Sequence, residues 1–177
     1  MIEAGVARGE GLTEGAGEIA LRAFKLLAHA EAACHGMAVE DVHFHEVGAV
    51  DSIVDIVGAA VAVDYLSPAE VLVSPLPMGR GIIRGAAHGP LPSPPPATVG
   101  VLCGSGIPTF DAGVDGEFVT PTGACLAAAL SEGRTCEWPT LKPERVSYGA
   151  GTKTWPDRPN LLRIVAGENR LVPSSVR

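Results

Sequence analysis

All 15 prolines of this 177-residue chain lie between Pro68 and Pro173, so its first 67 residues run without one. Proline lacks an amide hydrogen and fixes φ, which breaks helix interiors and central strands. Long regular elements are therefore expected in the first 67 residues, and shorter elements joined by turns after them. Charge divides at nearly the same place. Residues 1–70 carry 3 basic and 12 acidic side chains, a net charge of −9, whereas residues 71–177 carry 10 and 8, a net of +2. The acidic front suits cations and the back suits small anions. A basic nucleic-acid footprint is absent.

At this length the chain is one domain or a compact piece of a larger protein. Its richest apolar run, Ile53 to Leu66, is interrupted by Asp55 and Asp64 and falls short of the ~18 to 20 residues of a membrane span. The first eleven residues hold acidic residues and glycines where an export signal has a basic and then an apolar run. Cys34, Cys103, Cys125 and Cys136 show no C-x-x-C spacing and read as buried small hydrophobes rather than a disulfide frame. A cytoplasmic protein is expected, with no membrane and no nucleic acid among its partners.

The pattern predicts a flexible segment over residues 1–12, a single domain over 13–167, to which the candidate residues below lend metal and substrate binding, and a tail over 168–177. Ile19, Ala23, Leu26, Leu27 and Ala30 repeat at helical spacing, with Thr13 as N-cap and Gly36 at the C-terminal stop, so a helix is expected from Glu14 to His35. Val42 to His45 alternates like a strand. Ala49 to Leu66 reads as a second helix, apolar on nearly all sides and so expected to be buried, ended by Ser67-Pro68. Glu70 to Ser74 and Gly81 to Ala87 read as strands, and His88 to Pro96 as an extended loop leading into a helix over Ala97 to Cys103. Thr120-Pro121-Thr122-Gly123 opens a helix that stops at Gly133. Strands at Arg145 to Tyr148 and Leu161 to Val165 flank a Gly149-Ala150-Gly151 turn. The fold class is α/β, with α+β as the alternative: helices packed on a mixed sheet, with proline-rich loops in the second half.

His43 and His45 on one strand face lie about 7 Å apart at Cα, near enough to reach one ion. Glu46, Asp51 and Asp55 add carboxylates, and mixed imidazole–carboxylate ligation suits Ni²⁺, Zn²⁺, Fe²⁺ or Mn²⁺. A structural histidine pair and a helix-capping Asp51 account equally for the same residues. A carboxylate at Asp55, inside an apolar helix, calls for a cation or another partner. The Thr120–Gly123 helix start presents amides and the positive end of a dipole, the makings of an anion site, although most such starts are only helix starts. His88, beside Gly89 in a proline-stiffened loop, is a candidate proton donor or ligand. Arg80 and Arg158 are candidate anion partners, and surface solvation is the plainer account of both.

In order along the chain, HFHEVGAVDSIVDIVGAA, SPLPMGRG, AHGPLPSPPPAT, TPTGA, YGAG and RPNLLR resemble the nickel insertion protein (LarC) family of nickel-pincer nucleotide cofactor biosynthesis. The resemblance runs from Gly17 to Gly167, about 85% of the chain. It implies a chelatase-type lyase that inserts Ni²⁺ into pyridinium-3,5-bisthiocarboxylic acid mononucleotide, in a CTP-dependent reaction that makes the cofactor of lactate racemase. On that basis His43, His45, Glu46, Asp51 and Asp55 are the nickel candidates. His88 or Glu46 is the base that takes the ring proton, and Thr120, Thr122, Gly123, Arg80 and Arg158 are the substrate contacts. CTP, with Mg²⁺ or Mn²⁺, is implied to sit on a separate C-terminal nucleotide-binding domain or protein. A homo-oligomer and a noncatalytic nickel-storage module remain the alternatives in assembly and in function.

Overall fold

A computed structural model describes residues 11–42, 50–85 and 89–168. The chain divides into two compact units, Met1–Glu137 and Trp138–Arg177. Among the described residues no helix is long and apolar enough to cross a membrane.

The first unit is built around α1, Glu14–His35, whose bounds are those expected. The Thr13 hydroxyl accepts the Ala16 N–H at 3.3 Å, and Gly36, at φ 63°, closes the other end by donating to the carbonyls of the last turn. Ala20, Ala23, Phe24, Leu27 and Ala30 form the buried face. Small side chains there allow close helix approach: a Cβ on Gly100 would lie 3.2 Å from the Ala30 methyl. Around α1 pack α2 (Val50–Leu66), α3 (Pro96–Leu102) and α4 (Pro121–Ser131). The core joins the α1 face to Ile56, Ala60, Val101, Ile107, Ala124, Cys125, Ala128 and Ala129.

α2 departs from expectation in its burial. Ser52, Ile56 and Ala60 are buried, but Val54 is 61% and Tyr65 86% exposed, with Ile53, Val61 and Leu66 also outward. A helix apolar all round signals burial only if neighbours surround it, and within this unit α2 meets other helices along one side. The helix ends as read: the Ser67 N–H reaches the Val63 carbonyl at 2.9 Å just before Pro68.

The strands are short. β1 (Leu76–Arg80) runs parallel to β4 (Thr109–Asp115), pairing Leu76 with Thr109 and Met78 with Asp111 before a bulge shifts Arg80 onto Asp115. β2 (Ile82–Ile83) and β3 (Leu91–Pro92) form a small antiparallel pair. The strand expected over 70–74 shrinks to a single bridge between Val73 and Thr135, and β1 starts later, at Leu76 between two prolines. The reason is topological. Among the described residues β1 pairs only with β4, so Pro77 has an unpaired side on which its missing N–H costs nothing.

In the second unit β5 (Lys142–Ala150) and β6 (Leu161–Glu168) form an antiparallel ribbon. Gly149 and Ala150 do not turn the chain: they pair with Leu162 and Leu161, and the link begins at Gly151. The Gly151 N–H reaches the Asn160 carbonyl at 3.0 Å, and a Cβ at Gly151 would press on the Asn160 side-chain amide, which would have to move aside. The fold is thus mixed α/β, its described strands shared among three two-stranded pieces.

Candidate functional site

Three of the sequence motifs meet in the first unit and are tied together by hydrogen bonds. Gly79 lies so close to the Gly116 carbonyl that a Cβ there would sit 1.8 Å from the oxygen, which excludes any side chain. Next to it the Gly116 N–H donates to the Arg80 carbonyl at 3.0 Å. Ser93 binds on both sides of this contact, its N–H on the Gly81 carbonyl at 2.9 Å and its hydroxyl on the Gly116 carbonyl at 2.8 Å. The fully buried Thr98 donates to the Val119 carbonyl at 3.2 Å. The end of β1, the proline loop and the approach to α4 are therefore one cross-braced junction, and Thr120 follows directly from it.

At α4 the cap is strong. Thr120 Oγ1 accepts the Gly123 N–H at 3.0 Å, the Thr120 carbonyl accepts the Ala124 N–H at 2.9 Å, and Pro121 has no N–H to offer. One donor that an anion would use, the Gly123 N–H, is thereby occupied by the cap itself, and a second is missing at Pro121. The Thr122 carbonyl accepts from the Cys125 thiol at 3.1 Å, and burial pushes that thiol up to about 12.

The two candidate arginines are each held by a carboxylate of the same chain. Arg80 Nε donates to Asp111 Oδ1 at 2.9 Å, with a second bond from Nη2 to Oδ2. This pair arises from the parallel register, which sets Asp111 on the strand beside β1. The hydrogen bond from Arg80, then that from the Gly113 N–H at 2.8 Å, hold the Asp111 carboxyl below its usual range. Arg158, in the second unit, donates from Nη2 to Asp157 Oδ2 at 2.7 Å. Sequence reading missed Asp111, Ser93 and Thr98. For Asp111 the alternation of T-F-D-A was the available signal, but its partner lies 31 residues away.

Of the metal candidates, His43, His45 and Glu46 fall outside the described residues, as does His88. Asp51 stands in the first turn of α2, where the helix dipole favours a carboxylate, and accepts the Ser52 N–H at 2.9 Å. Asp55 is exposed. The inference that a buried Asp55 needs a compensating cation therefore lapses, because water already solvates it. Among the described residues no group of three or more His, Cys, Asp or Glu side chains is placed to hold a metal ion.

A cleft of about 240 Å³ opens beyond the C-terminal end of α4, lined by Ile19, Arg22, Asp64, Ser67, Glu132 and Arg134 among others. Its charges answer one another: Glu132 takes Arg22 on one oxygen and Arg134 on the other, at 3.4 Å.

A family model described as nickel insertion protein matches residues 2–176. Several relatives carry the name "Putative nickel insertion protein". That of Geobacter sp. (strain M21) is 56% identical over 85% of this chain and 38% of its own length. That of Citrifermentans bemidjiense is 52% identical over 96% and 42% respectively, and that of Syntrophotalea carbinolica 50% over 85% and 37%. The chain thus spans about two fifths of the length of the curated relatives it matches. No solved structure matches it.

Proposed function

The chain belongs to the nickel insertion protein family, and from that premise we propose that it is the metal- and substrate-handling part of a cytoplasmic nickel insertase. Its substrates are Ni²⁺ and pyridinium-3,5-bisthiocarboxylic acid mononucleotide, and its product is the nickel-pincer cofactor of lactate racemase. The observation that carries this reading is the match along nearly the whole chain, residues 2–176.

The chemistry sets three demands. Nickel must be delivered from ligands that let it go, and imidazole with carboxylate exchanges more readily than a closed thiolate cage. His43, His45, Glu46, Asp51 and Asp55 are the proposed donors. The ring carbon loses a proton as the metal–carbon bond forms, and His88 or Glu46 accepts it. The phosphate and thiocarboxylates need cationic and amide partners, for which Thr120, Thr122, Gly123, Arg80 and Arg158 are proposed. Arg80 and Arg158 would exchange Asp111 and Asp157 for the substrate anion. CTP with Mg²⁺ or Mn²⁺ is assigned to a separate C-terminal nucleotide-binding domain or protein.

Calorimetric titration with Ni²⁺ tests the metal assignment: the His43→Ala/His45→Ala double variant should lose binding, and unchanged affinity overturns it. Turnover is tested with substrate, Ni²⁺ and CTP, with and without a separately supplied C-terminal domain. Nickel binding without turnover in either mixture would make the chain a nickel-holding module instead.

A further inference from the structure

The ribbon of the second unit presents an unusual combination on one face. Directly opposed residues share a face, as do alternate residues along a strand. The register Val146↔Val165, Tyr148↔Arg163 and Ala150↔Leu161 therefore gathers these six side chains on one side. Arg163 lies over the ring of Trp138, its guanidinium carbon 5.4 Å from the ring centre. Tyr148 stands opposite it, 59% exposed, and Trp138 is 55% exposed.

Among the described residues of the unit no carboxylate pairs with Arg163. Residues 138–168 hold five basic and three acidic side chains, a net charge of +2. All three carboxylates are committed elsewhere: Glu144 and Glu168 flank Lys142 at 4.0 Å, and Asp157 holds Arg158. The two glutamates sit at the far end of the ribbon, about 13 to 17 Å along the strands from Tyr148 and Arg163 at ~3.3 Å per residue. Among the described residues the Arg163 guanidinium makes no ion pair and stacks on Trp138. Stacking uses the face of a guanidinium and leaves its N–H edge able to grip an anion. Tyr148, paired with Arg163 across the ribbon, supplies an exposed flat apolar surface. A planar ring with an anionic group satisfies both at once, whereas an aliphatic anion satisfies only the arginine.

We propose that Tyr148, Arg163 and Trp138 form a stacking platform that seats the planar anionic ring of a mononucleotide, Tyr148 beneath the ring and Arg163 on its anionic group. The choice of a pyridinium mononucleotide rests on the nickel insertase reading; the platform itself requires only the flat ring and the charge. It assigns a role to the YGAG and RPNLLR motifs, which contribute Tyr148 and Arg163.

The test uses the full chain carrying Trp155→Phe, so that fluorescence reports Trp138 alone, titrated with nicotinate mononucleotide. Saturable quenching is expected. Tyr148→Ala should weaken binding about tenfold, the size of one lost ring stack. Arg163→Leu should weaken it at least as much, with Arg163→Lys intermediate because it keeps the charge and loses the planar fork. Ribose 5-phosphate, which lacks the ring, should bind about tenfold more weakly than the mononucleotide. No quenching, or Kd values for Tyr148→Ala and Arg163→Lys both within twofold of the parent, overturns the proposal. Ni²⁺ titration of the same protein separates the two readings. Mononucleotide binding through Arg163 without nickel binding defeats the insertase and keeps the platform, and the reverse result does the opposite.

Discussion

The Thr13 hydroxyl donates to Asp64 Oδ2 at 2.6 Å, joining the first residue before α1 to the last turn of α2 across 51 positions of sequence. The same hydroxyl accepts from the Ala16 N–H, so one side chain both caps α1 and fastens α2 to it. The Asp64 carboxylate also lies at the positive end of the α1 dipole, where negative charge is favoured.

This contact makes Gly15 a reporter of Asp64. A Cβ at Gly15 would meet Asp64 Oδ1 at 2.0 Å, so Gly15→Ala forces the carboxylate away and should destabilise the protein by about 1 kcal/mol despite the better helix propensity of alanine. In an Asp64→Ala background the obstruction is gone, and the same change should stabilise by up to ~1 kcal/mol. Urea unfolding of the four-member cycle checks the reversal of sign.

Gly79 allows no such relief, because its obstruction is the Gly116 backbone. Gly79→Ala should cost about 2 to 4 kcal/mol and loosen the junction that leads to Thr120. Thermal unfolding gives the first quantity, and amide exchange at Gly116 and Gly123 gives the second.

Acid should act at the Arg80–Asp111 pair. The folded-state Asp111 carboxyl lies below its ordinary value, so its contribution to stability is present above the unfolded carboxylate range and is lost as pH falls through the folded value. Both groups are exposed, so the contribution should be small and should shrink with added salt. Carboxyl carbon NMR should follow Asp111 upward toward the ordinary value in Arg80→Gln.

The thiols should separate by reactivity. Cys125 is fully buried with its thiol pushed up to about 12, so it should resist alkylation at pH 8 until the protein unfolds. Cys34 and Cys103 are exposed, against the expectation that all four cysteines are buried, and should label in the native state; partial desolvation and Glu31 raise the Cys34 thiol and slow its reaction. Timed alkylation followed by peptide mass spectrometry checks the order.

Helix ends were legible where a cap is a local event. Thr13 and Gly36 bracket α1, and Thr120 opens α4, because each cap is local: the two threonine hydroxyls accept amides three residues on, and the Gly36 N–H serves carbonyls three and four residues back. What depends on distant partners was not legible. The exposure of α2 follows from which helices surround it, and the start of β1 at Leu76 follows from its pairing with Thr109. The occupation of Arg80 by Asp111 is likewise a consequence of strand register. In the candidate site the Thr120 cap was readable, whereas Ser93 and Thr98 act through carbonyls that no pattern of side chains announces.

The parallel pairing of β1 with β4 also governs the order of assembly. Antiparallel neighbours such as β5 and β6 zip from a short link, but β1 can meet β4 only after the intervening chain, α3 included, has crossed over. Closing that long loop costs entropy before any ladder bond forms, so the pairing is expected late in folding. The junction of Arg80, Ser93 and Gly116 hangs on the same pairing, and a chain caught before that step would have its helices but no braced approach to Thr120.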